Sequence, residues 1–315
     1  MKNRFLFVST MALTALFLTS CDWTKKPWAS ATDGSEDTDS LSAKQYCTAE
    51  FNDSISINEA TAYQELRVDF PAEDDSSAVA QAVLAWLCDE VRSRCYPSFE
   101  GELIDSAFAV DTDNPELDTF ADNVVTTYGR KGLQRLGNEL REMANEGYEG
   151  FFGNNLAIEL AEQTENYLTF TLEHDVYMGG AHGGQYHEGR SFRTSDGKAF
   201  TWKHFKTDMK PELIALLKKG LMAYFNEGAD EPITTEAALF EMLLLYDDPD
   251  TPENELEYGL PLPATDPWLT RDGVVFIYQE YEIAPYAFGR PSVTLPYSAV
   301  VDFITPEGMT FVNGK

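Results

Sequence analysis

One stretch, residues 166–205, restricts the fold of this chain more than any other. Its first part alternates side chains with a period of two, which predicts a strand with one buried face. Four glycines follow within six residues, and glycine permits positive φ or a close backbone approach. A second strand at 191–194, a tight turn and a third strand at 199–202 are predicted next. The stretch is therefore predicted to be a meander whose glycine-rich elbow carries His182.

The rest of the chain mixes strands and helices without regular βαβ alternation. Other strands are predicted at 47–57, 65–70, 274–278 and 292–296, and helices at 78–91, 118–144, 211–225 and 234–245. Gly129 and Gly132 are expected to interrupt the second helix, since glycine is a poor helix former. This order of elements predicts an α+β fold with a mostly antiparallel sheet and several packed helices.

The first 20 residues have the pattern of an export signal. Lys2 and Arg4 precede an apolar run that is shorter than a membrane span needs, and the run ends in small residues before Cys21. The pattern predicts a bacterial lipoprotein whose mature chain begins at a lipid-modified Cys21, with a flexible tether at 21–44. The alternatives are an ordinary export signal with an incidental cysteine, or a retained anchor.

The formal charge of −30 comes from 53 acidic and 23 basic residues. Nucleic acids and anionic lipid surfaces both require basic patches, so we expect neither as a direct partner of the folded part. A basic protein partner would be steered toward such a chain. The simpler explanation of the same charge is plain solubility, because net charge bears on solubility before it bears on partners.

Three cysteines remain beyond the proposed lipid site, and they leave several pairings open. Cys88 and Cys95 are seven residues apart, so a continuous helix would hold them beyond disulfide reach. They can pair only if the helix stops near Ser93. Cys47 could instead pair with either of them. None of the three lies in a recognisable nucleophile motif.

The motifs of two stretches together resemble a known domain family. The first stretch contains Gly-Gly-Ala-His, then Asp-Gly-Lys, then Trp-Lys-His-Phe; the second, at 275–300, contains Tyr-Glu-Ile-Ala-Pro-Tyr. They are similar to an extracytoplasmic domain family of unknown function found in RsiV-type anti-sigma factors, which sense lysozyme. The same domain occurs outside the catalytic part of PdaC-type peptidoglycan deacetylases and in many bacterial lipoproteins. The resemblance covers residues 166–303.

The sequence patterns and this resemblance together divide the chain into four segments. They are a lipoprotein signal peptide at 1–20, the tether at 21–44, an N-terminal α+β subdomain at 45–165, and a C-terminal α+β domain at 166–315 that resembles the RsiV-type domain. The sequence shows neither the metal-binding catalytic domain of the deacetylases nor a second hydrophobic span like that of the anti-sigma factors. We therefore expect neither of those activities here.

Histidine is the first candidate for chemistry, and the chain contains four. His182 and His187 are five residues apart, with Asp175 and Glu188 nearby in sequence, but no HExxH or CxxC pattern accompanies them. We expect His182 to bond the backbone of its own elbow rather than a metal. Asp111, Asp113 and Asp118 lack the glycine of a calcium loop. No metal, cofactor or catalytic residue is predicted.

The loop at 281–291 is the other candidate. It places Tyr281, Tyr286, Phe288 and Arg290 among proline and glycine residues, and tyrosine and arginine on rigid loops are typical binding anchors. With His182 they form the predicted ligand-binding set. The alternative is that this loop is a corner required by the fold.

These observations predict a non-catalytic binding module held in the cell envelope by lipid, on the periplasmic side or at the cell surface. The resemblance implies lysozyme-like enzymes or peptidoglycan as ligands, and the charge suits a basic lysozyme. Two alternatives stay open. One is a polysaccharide hydrolase that uses carboxylates such as Glu173 near His182, and the other is a structural or assembly lipoprotein.

Overall fold

The computed structural model describes residues 46–72, 74–95, 120–227, 229–244 and 259–314, all within a unit that spans residues 44–315. The predicted signal peptide, Cys21 and the tether lie outside these ranges. So do Asp111, Asp113 and Asp118. Within the described ranges, no helix is long and apolar enough to cross a membrane.

Five strands form the larger sheet in the order in which they occur along the chain. They are β1 (Tyr46–Ile57), β2 (Ala60–Pro71), β3 (Phe151–Gln163), β4 (Tyr167–Tyr177) and β5 (Gly184–Arg193). All neighbours pair antiparallel except β2 and β3, which pair parallel. A parallel pair needs a long crossover connection, and residues 72–150 provide it.

The two long helices of that crossover cover one face of the sheet. Helix α1 (Ala78–Arg94) begins at Ser77, whose side chain accepts a hydrogen bond from the Ala80 amide. Its apolar residues at helical spacing, Val79, Val83, Trp86, Leu87 and Val91, are buried. Trp86 packs against Phe170 of β4 and Phe192 of β5, with ring centroids 6.0 and 5.6 Å apart. The predicted buried face of β4 is therefore confirmed.

Helix α2 (Thr127–Asn145) continues a π-helical segment at Ala121–Thr126. The predicted interruption at Gly129 and Gly132 is wrong, because both glycines lie where the helix approaches its neighbours too closely for a side chain. A Cβ at Gly129 would meet the Phe51 ring of β1, and one at Gly132 would meet the carbonyl oxygen of Cys95. The glycines are needed for packing and do not end the helix.

The smaller sheet has three antiparallel strands in the order β6-β7-β8. They are β6 (Trp268–Thr270), β7 (Gly273–Ile277) and β8 (Ser292–Leu295). Helix α3 (Lys210–Asn226) packs on β8, and α4 (Glu236–Met242), α5 (Tyr297–Val300) and α6 (Pro306–Asn313) complete the described helices. The α+β prediction is confirmed.

Two buried hydroxyls join the sheets. Thr169 of β4 donates from Oγ1 to the Leu269 carbonyl at 2.7 Å, and the Leu269 amide donates to Ser191 Oγ of β5 at 2.8 Å. The two hydroxyl oxygens are 2.6 Å apart. Both side chains are fully buried, so β6 covers the face of β4 that alternation alone would leave to solvent.

The predicted third strand of the meander, Ala199–Trp202, is wrong. Ala199 makes only an isolated bridge to Phe192, and a 3₁₀ helix at Trp202–His204 follows at once. The Thr201 amide donates to Nδ1 of His204, which fixes this turn. The second strand, by contrast, is longer than predicted, since β5 starts at Gly184. The tight turn between them is confirmed, with Gly197 at a φ of +72°.

Cys47, Cys88 and Cys95 are free thiols, so none of the considered pairings is formed. Helix α1 ends at Arg94, but Cys95 keeps helical dihedral angles and its amide still donates to the Val91 carbonyl, so Cys88 and Cys95 stay at helical spacing, beyond disulfide reach. Cys95 is buried at the helix end, and burial raises the pKa of its thiol far above the ordinary value.

A buried polar network joins α1 to the centre of the larger sheet. The His174 Nε2–H donates to Asn154 Oδ1 at 2.7 Å, and Asn154 Nδ2 donates to the Arg94 carbonyl at 2.8 Å. Burial, followed by the nearby Arg94 charge, lowers the pKa of His174 to about 3. His174 is therefore neutral in the folded protein at neutral pH.

Replacing Gly132 with alanine is expected to destabilise the protein. Alanine usually stabilises a helix relative to glycine, but here the new Cβ would lie 2.8 Å from Gln64 Oε1 and closer still to the Cys95 carbonyl oxygen. We expect a loss of about 1–3 kcal/mol in the free energy of unfolding, measured by urea denaturation. Gly184→Ala is the control, since its Cβ would meet open space. Equal unfolding midpoints for the two variants would contradict this.

The His174 network predicts a particular pH dependence of stability. The folded-state pKa of His174 is about 3 and the unfolded-state value about 6.5, so the unfolded chain binds more protons between these values. Stability should fall as the pH drops below about 6.5, by about 2 kcal/mol at pH 5 from this residue alone. His174→Gln, which keeps a donor for Asn154, should show a shallower fall between pH 7 and pH 5 in urea denaturation. Parallel curves for the two proteins would refute the assignment.

Candidate functional site

The glycine-rich elbow connects β4 to β5 and holds His182 at the surface. Gly179 and Gly180 adopt φ values of +87° and +95°, which bulky residues avoid. The Tyr177 hydroxyl donates to the Gly180 carbonyl at 3.0 Å. His182 Nδ1 lies 2.8 Å from the Gly183 carbonyl, and because a carbonyl only accepts, Nδ1 carries the proton. The prediction that His182 bonds the backbone of its own elbow is confirmed.

The other side of the His182 ring meets the loop that follows β7. With Nδ1 protonated, Nε2 accepts from the Tyr281 hydroxyl at 3.1 Å. The Tyr286 ring stacks on the imidazole with centroids 4.0 Å apart and planes inclined by 21°. We call His182, Tyr281 and Tyr286 the aromatic cluster. Tyr281 is 47% exposed, so the cluster presents ring surface to solvent.

The loop is fastened to the edge of β5 by two neighbouring side chains. Gln279 accepts from the His187 amide at 3.1 Å and donates to the His187 carbonyl at 2.7 Å. Glu280 accepts from the Gln185 amide at 3.0 Å. These bonds replace the partner strand that β5 lacks, and they fix the start of the loop next to the elbow. The two segments that carry the aromatic cluster, the elbow and the loop after β7, are therefore both attached to strand β5.

Tyr281 has a φ of +64°. This conformation is unusual for any residue other than glycine, asparagine or aspartate. Such strain costs about 1–3 kcal/mol and persists only where the surroundings impose it. Here the Gln279 and Glu280 contacts and the His182 hydrogen bond impose it. Strained residues of this kind concentrate at functional sites.

Arg290 and Phe288 make their contacts outside the aromatic cluster. Arg290 donates to Glu173 Oε2 at 3.0 Å, and the other oxygen of Glu173 is 2.5 Å from Nδ1 of His187. We call Glu173, His187 and Arg290 the charged cluster. Phe288 packs edge-on against Phe225 of α3 with centroids 5.3 Å apart. The predicted set of five is thus divided into three places: the aromatic cluster, the charged cluster and the α3 contact.

Glu173 of the charged cluster and the neighbouring Asp175 have pKa values shifted in opposite directions. Burial by itself would raise the pKa of Glu173, but the hydrogen bonds and charges of His187 and Arg290 outweigh it and hold that pKa below its ordinary value. Asp175 projects from the same face of β4, two residues further on. Burial, and then the charge of Glu173, raises the pKa of Asp175.

The remaining candidates have structural partners. Glu188 accepts from the Tyr186 hydroxyl at 2.9 Å and lies 3.6 Å from Arg94, so it does not approach His182. His204 caps its own 3₁₀ turn. Among the described residues, no group of three or more His, Cys, Asp or Glu side chains has the arrangement of a metal site.

Sequence reasoning missed Gln279 and Glu280, which hold the loop in place. Each contacts a residue more than 90 positions away in the chain, and no local pattern distinguishes a glutamine or glutamate that binds a strand edge. The pairing of Glu173 with His187 could have been found, because the two lie directly opposite each other on β4 and β5.

Comparisons with known proteins find similarity to one family of proteins. Residues 193–298 match the model of DUF3298, a protein family of unknown function. A solved DUF3298 structure from Bacteroides fragilis is similar over 86% of this chain and 96% of its own, with a TM-score of 0.59 and 16% identity. A DUF3298 structure from Pseudomonas aeruginosa is similar over 84% of this chain and 96% of its own, with a TM-score of 0.50 and 14% identity.

No curated protein matches the sequence. At such low identities the solved structures show a shared fold and nothing finer. The family match covers a narrower range than the 166–303 of the motif resemblance, but it includes β6, β7 and the loop that bears Tyr281 and Tyr286. Residues 193–298 of this chain are therefore similar to the DUF3298 model, and the fold is shared with DUF3298 proteins of solved structure.

Proposed function

We propose that this protein is a non-catalytic binding module of the bacterial cell envelope, which contacts its ligand through the aromatic cluster. The observation that carries the proposal is the exposed, strained Tyr281, hydrogen-bonded to His182 and held at φ +64°. A ring fixed in this way loses little conformational entropy on binding, which favours affinity. Tyrosine is also among the residues that most often dominate binding energy.

Lysozyme-like enzymes and peptidoglycan are the proposed ligands. The motif resemblance to lysozyme-sensing proteins supports this class, and aromatic rings suit the faces of sugar rings. The electrostatics favour a basic protein. Glu280 and Asp175 both have raised pKa values, first because of burial, and the charge of Glu173 contributes further at Asp175. A cationic side chain brought close to these carboxyl groups would relieve that repulsion.

The binding proposal predicts a large effect at the aromatic cluster. Tyr281→Ala and Tyr286→Ala in the soluble protein from Ser42 onward should each weaken binding to lysozyme or to peptidoglycan fragments by about tenfold or more. Lysozyme binding should also weaken with added salt, since surface charges are screened. Isothermal titration calorimetry at low and high salt measures both effects.

Tyr63→Ala is the matched control for this titration. Tyr63 is 42% exposed and lies on β2, outside the aromatic cluster, so its loss should leave the affinity unchanged. Equal weakening by all three variants would contradict a role for the cluster. Wild-type protein that binds neither ligand at low salt would refute the ligand class and favour a structural or assembly role.

A second candidate is hydrolysis of an envelope polysaccharide. It is favoured by one observation: Glu173 and Asp175 have pKa values shifted in opposite directions, the arrangement by which one carboxyl group can act as an acid beside an ionised neighbour. Release of soluble fragments from peptidoglycan, abolished by Glu173→Gln or Asp175→Asn but not by Tyr63→Ala, would replace the binding proposal with this one.

The proposed envelope location depends on lipid attachment to Cys21. In a bacterial host supplied with an alkyne-labelled fatty acid, the wild-type chain should incorporate label, because Cys21 follows the apolar run and small residues of a lipoprotein signal. Cys21→Ser should incorporate none, whereas the control Cys47→Ser should be labelled like the wild type. Label retained in Cys21→Ser would rule out this anchor.

A further inference from the structure

Strand β1 forms one edge of the five-stranded sheet, and it is unusually long and regular. It pairs with β2 through twelve successive residue pairs without a bulge. Its sequence contains no proline, lysine or arginine, which are the residues that commonly protect an edge strand from pairing with another chain. The only charged residues of β1 are therefore the acidic Glu50 and Asp53, which disfavour an acidic strand but not a basic one.

The hairpin geometry shows which backbone groups of β1 point outward. A two-residue turn, Asn58–Glu59, joins β1 to β2, so the closing pair Ile57–Ala60 is the hydrogen-bonded kind. Hydrogen-bonded and non-bonded pairs alternate in an antiparallel ladder. Odd-numbered residues of β1 therefore bond β2, and even-numbered ones direct their N–H and C=O away from it. Pro71 agrees with this assignment, since it lacks an N–H and lies opposite even-numbered Tyr46.

Only one of these outward amides has an internal acceptor among the described residues. The Ser54 amide donates to Asp53 Oδ1 at 2.8 Å, whereas no described group bonds the amides of Thr48, Glu50 or Asn52. The opposite edge of the sheet differs, because Gln279 and Glu280 bond the outward amides of β5 and Ser191 O accepts from the Phe200 amide. Among the residues that the structure describes, the β5 edge is covered, whereas the outward backbone groups of β1 at Thr48, Glu50 and Asn52 have no partner.

The side chains along β1 indicate the charge of a partner. Glu50 and Asp53 are exposed, and Glu65 and Asp69 follow on β2. The neighbouring base, Arg67, is already bonded to Glu50 and to Glu159 at 3.0 Å. A second copy of this chain would bring another acidic edge and another formal charge of −30 against the first, which disfavours self-pairing.

We propose that residues 46–52 of β1 are a strand-addition site for an extended segment of a partner protein, with lysine or arginine at alternate positions. Main-chain hydrogen bonds to the outward groups of Thr48, Glu50 and Asn52 supply affinity. Basic side chains beside Glu50 supply the preference for this partner. The site lies at the opposite edge of the sheet from β5 and the aromatic cluster, and it does not depend on the function proposed for that cluster.

Backbone methylation of a probe peptide tests the hydrogen-bonding pattern on the wild-type protein. The probe is a fluorescein-labelled ten-residue peptide in which lysine alternates with valine, and binding is followed by fluorescence anisotropy. Alternate amides of an added strand face the sheet. N-methylation of either all the lysines or all the valines, whichever direct their amides to β1, should therefore weaken binding at least about tenfold. Methylation of the other type should have little effect. Equal affinities for the two methylated peptides, or no binding of the unmodified peptide, would overturn the proposal.

Substitutions in β1 test the same pattern from the protein side. Asn52→Pro removes an outward N–H without removing a bond to β2 and should lower affinity about tenfold. Asn52→Ala keeps the N–H and Ser54→Pro removes one that already has an acceptor, so both should bind nearly as the wild type does. Circular dichroism checks that each variant is folded. If Asn52→Pro is unfolded, the binding of the methylated peptides to the wild-type protein tests the proposed hydrogen-bonding pattern by itself. A dimer in sedimentation velocity that Asn52→Pro dissociates would assign the edge to a second copy and overturn the proposed partner.

Discussion

The buried hydroxyl contact between the two sheets is the constraint on which the arrangement of the rest depends. Thr169 and Ser191 hold Leu269 of β6 against β4 and β5, and both hydroxyls are fully buried, where an unpaired polar group would be costly. Gly189 adds to this contact, because a Cβ there would collide with Trp268. Since β6 and β7 form one hairpin, this contact also sets where the loop after β7 meets the elbow.

The electrostatic character of the site follows from the same placement. The loop brings Arg290 to Glu173, while the register of β4 and β5 brings His187 to the opposite oxygen of that carboxylate. Two partners outweigh burial at Glu173, whereas Asp175 keeps the repulsion of that carboxylate and its own burial cost. Within this acidic chain, the negative charge of Glu173 is thus balanced by its partners, whereas the charged form of Asp175 is destabilised.

The wrong predictions have a common physical cause. Gly129 and Gly132 were predicted to interrupt the helix because intrinsic helix propensity depends only on the residue itself. The close approach of α2 to β1 and to Cys95, however, requires residues without side chains at these positions. Ala199–Trp202 reads as a strand because its residues suit one, but Thr201 and His204 satisfy each other in a tight turn. In both cases a tertiary or capping contact outweighed a preference of less than about 1 kcal/mol per residue.

The sequence by itself determined the features that depend on near neighbours: the start of helix α1 at Ala78, the alternation of β4, the tight turn before Ala199, and the bond from His182 to its own elbow. Only the tertiary structure decided which candidates meet. His182 and Tyr281 are 99 residues apart, and Arg290 lies 117 residues from Glu173. Local periodicity records which face of an element is buried, but it carries no information on which distant element covers that face or seals a strand edge. The division of the five predicted site residues, and the closed and open edges of the sheet, therefore became visible only in three dimensions.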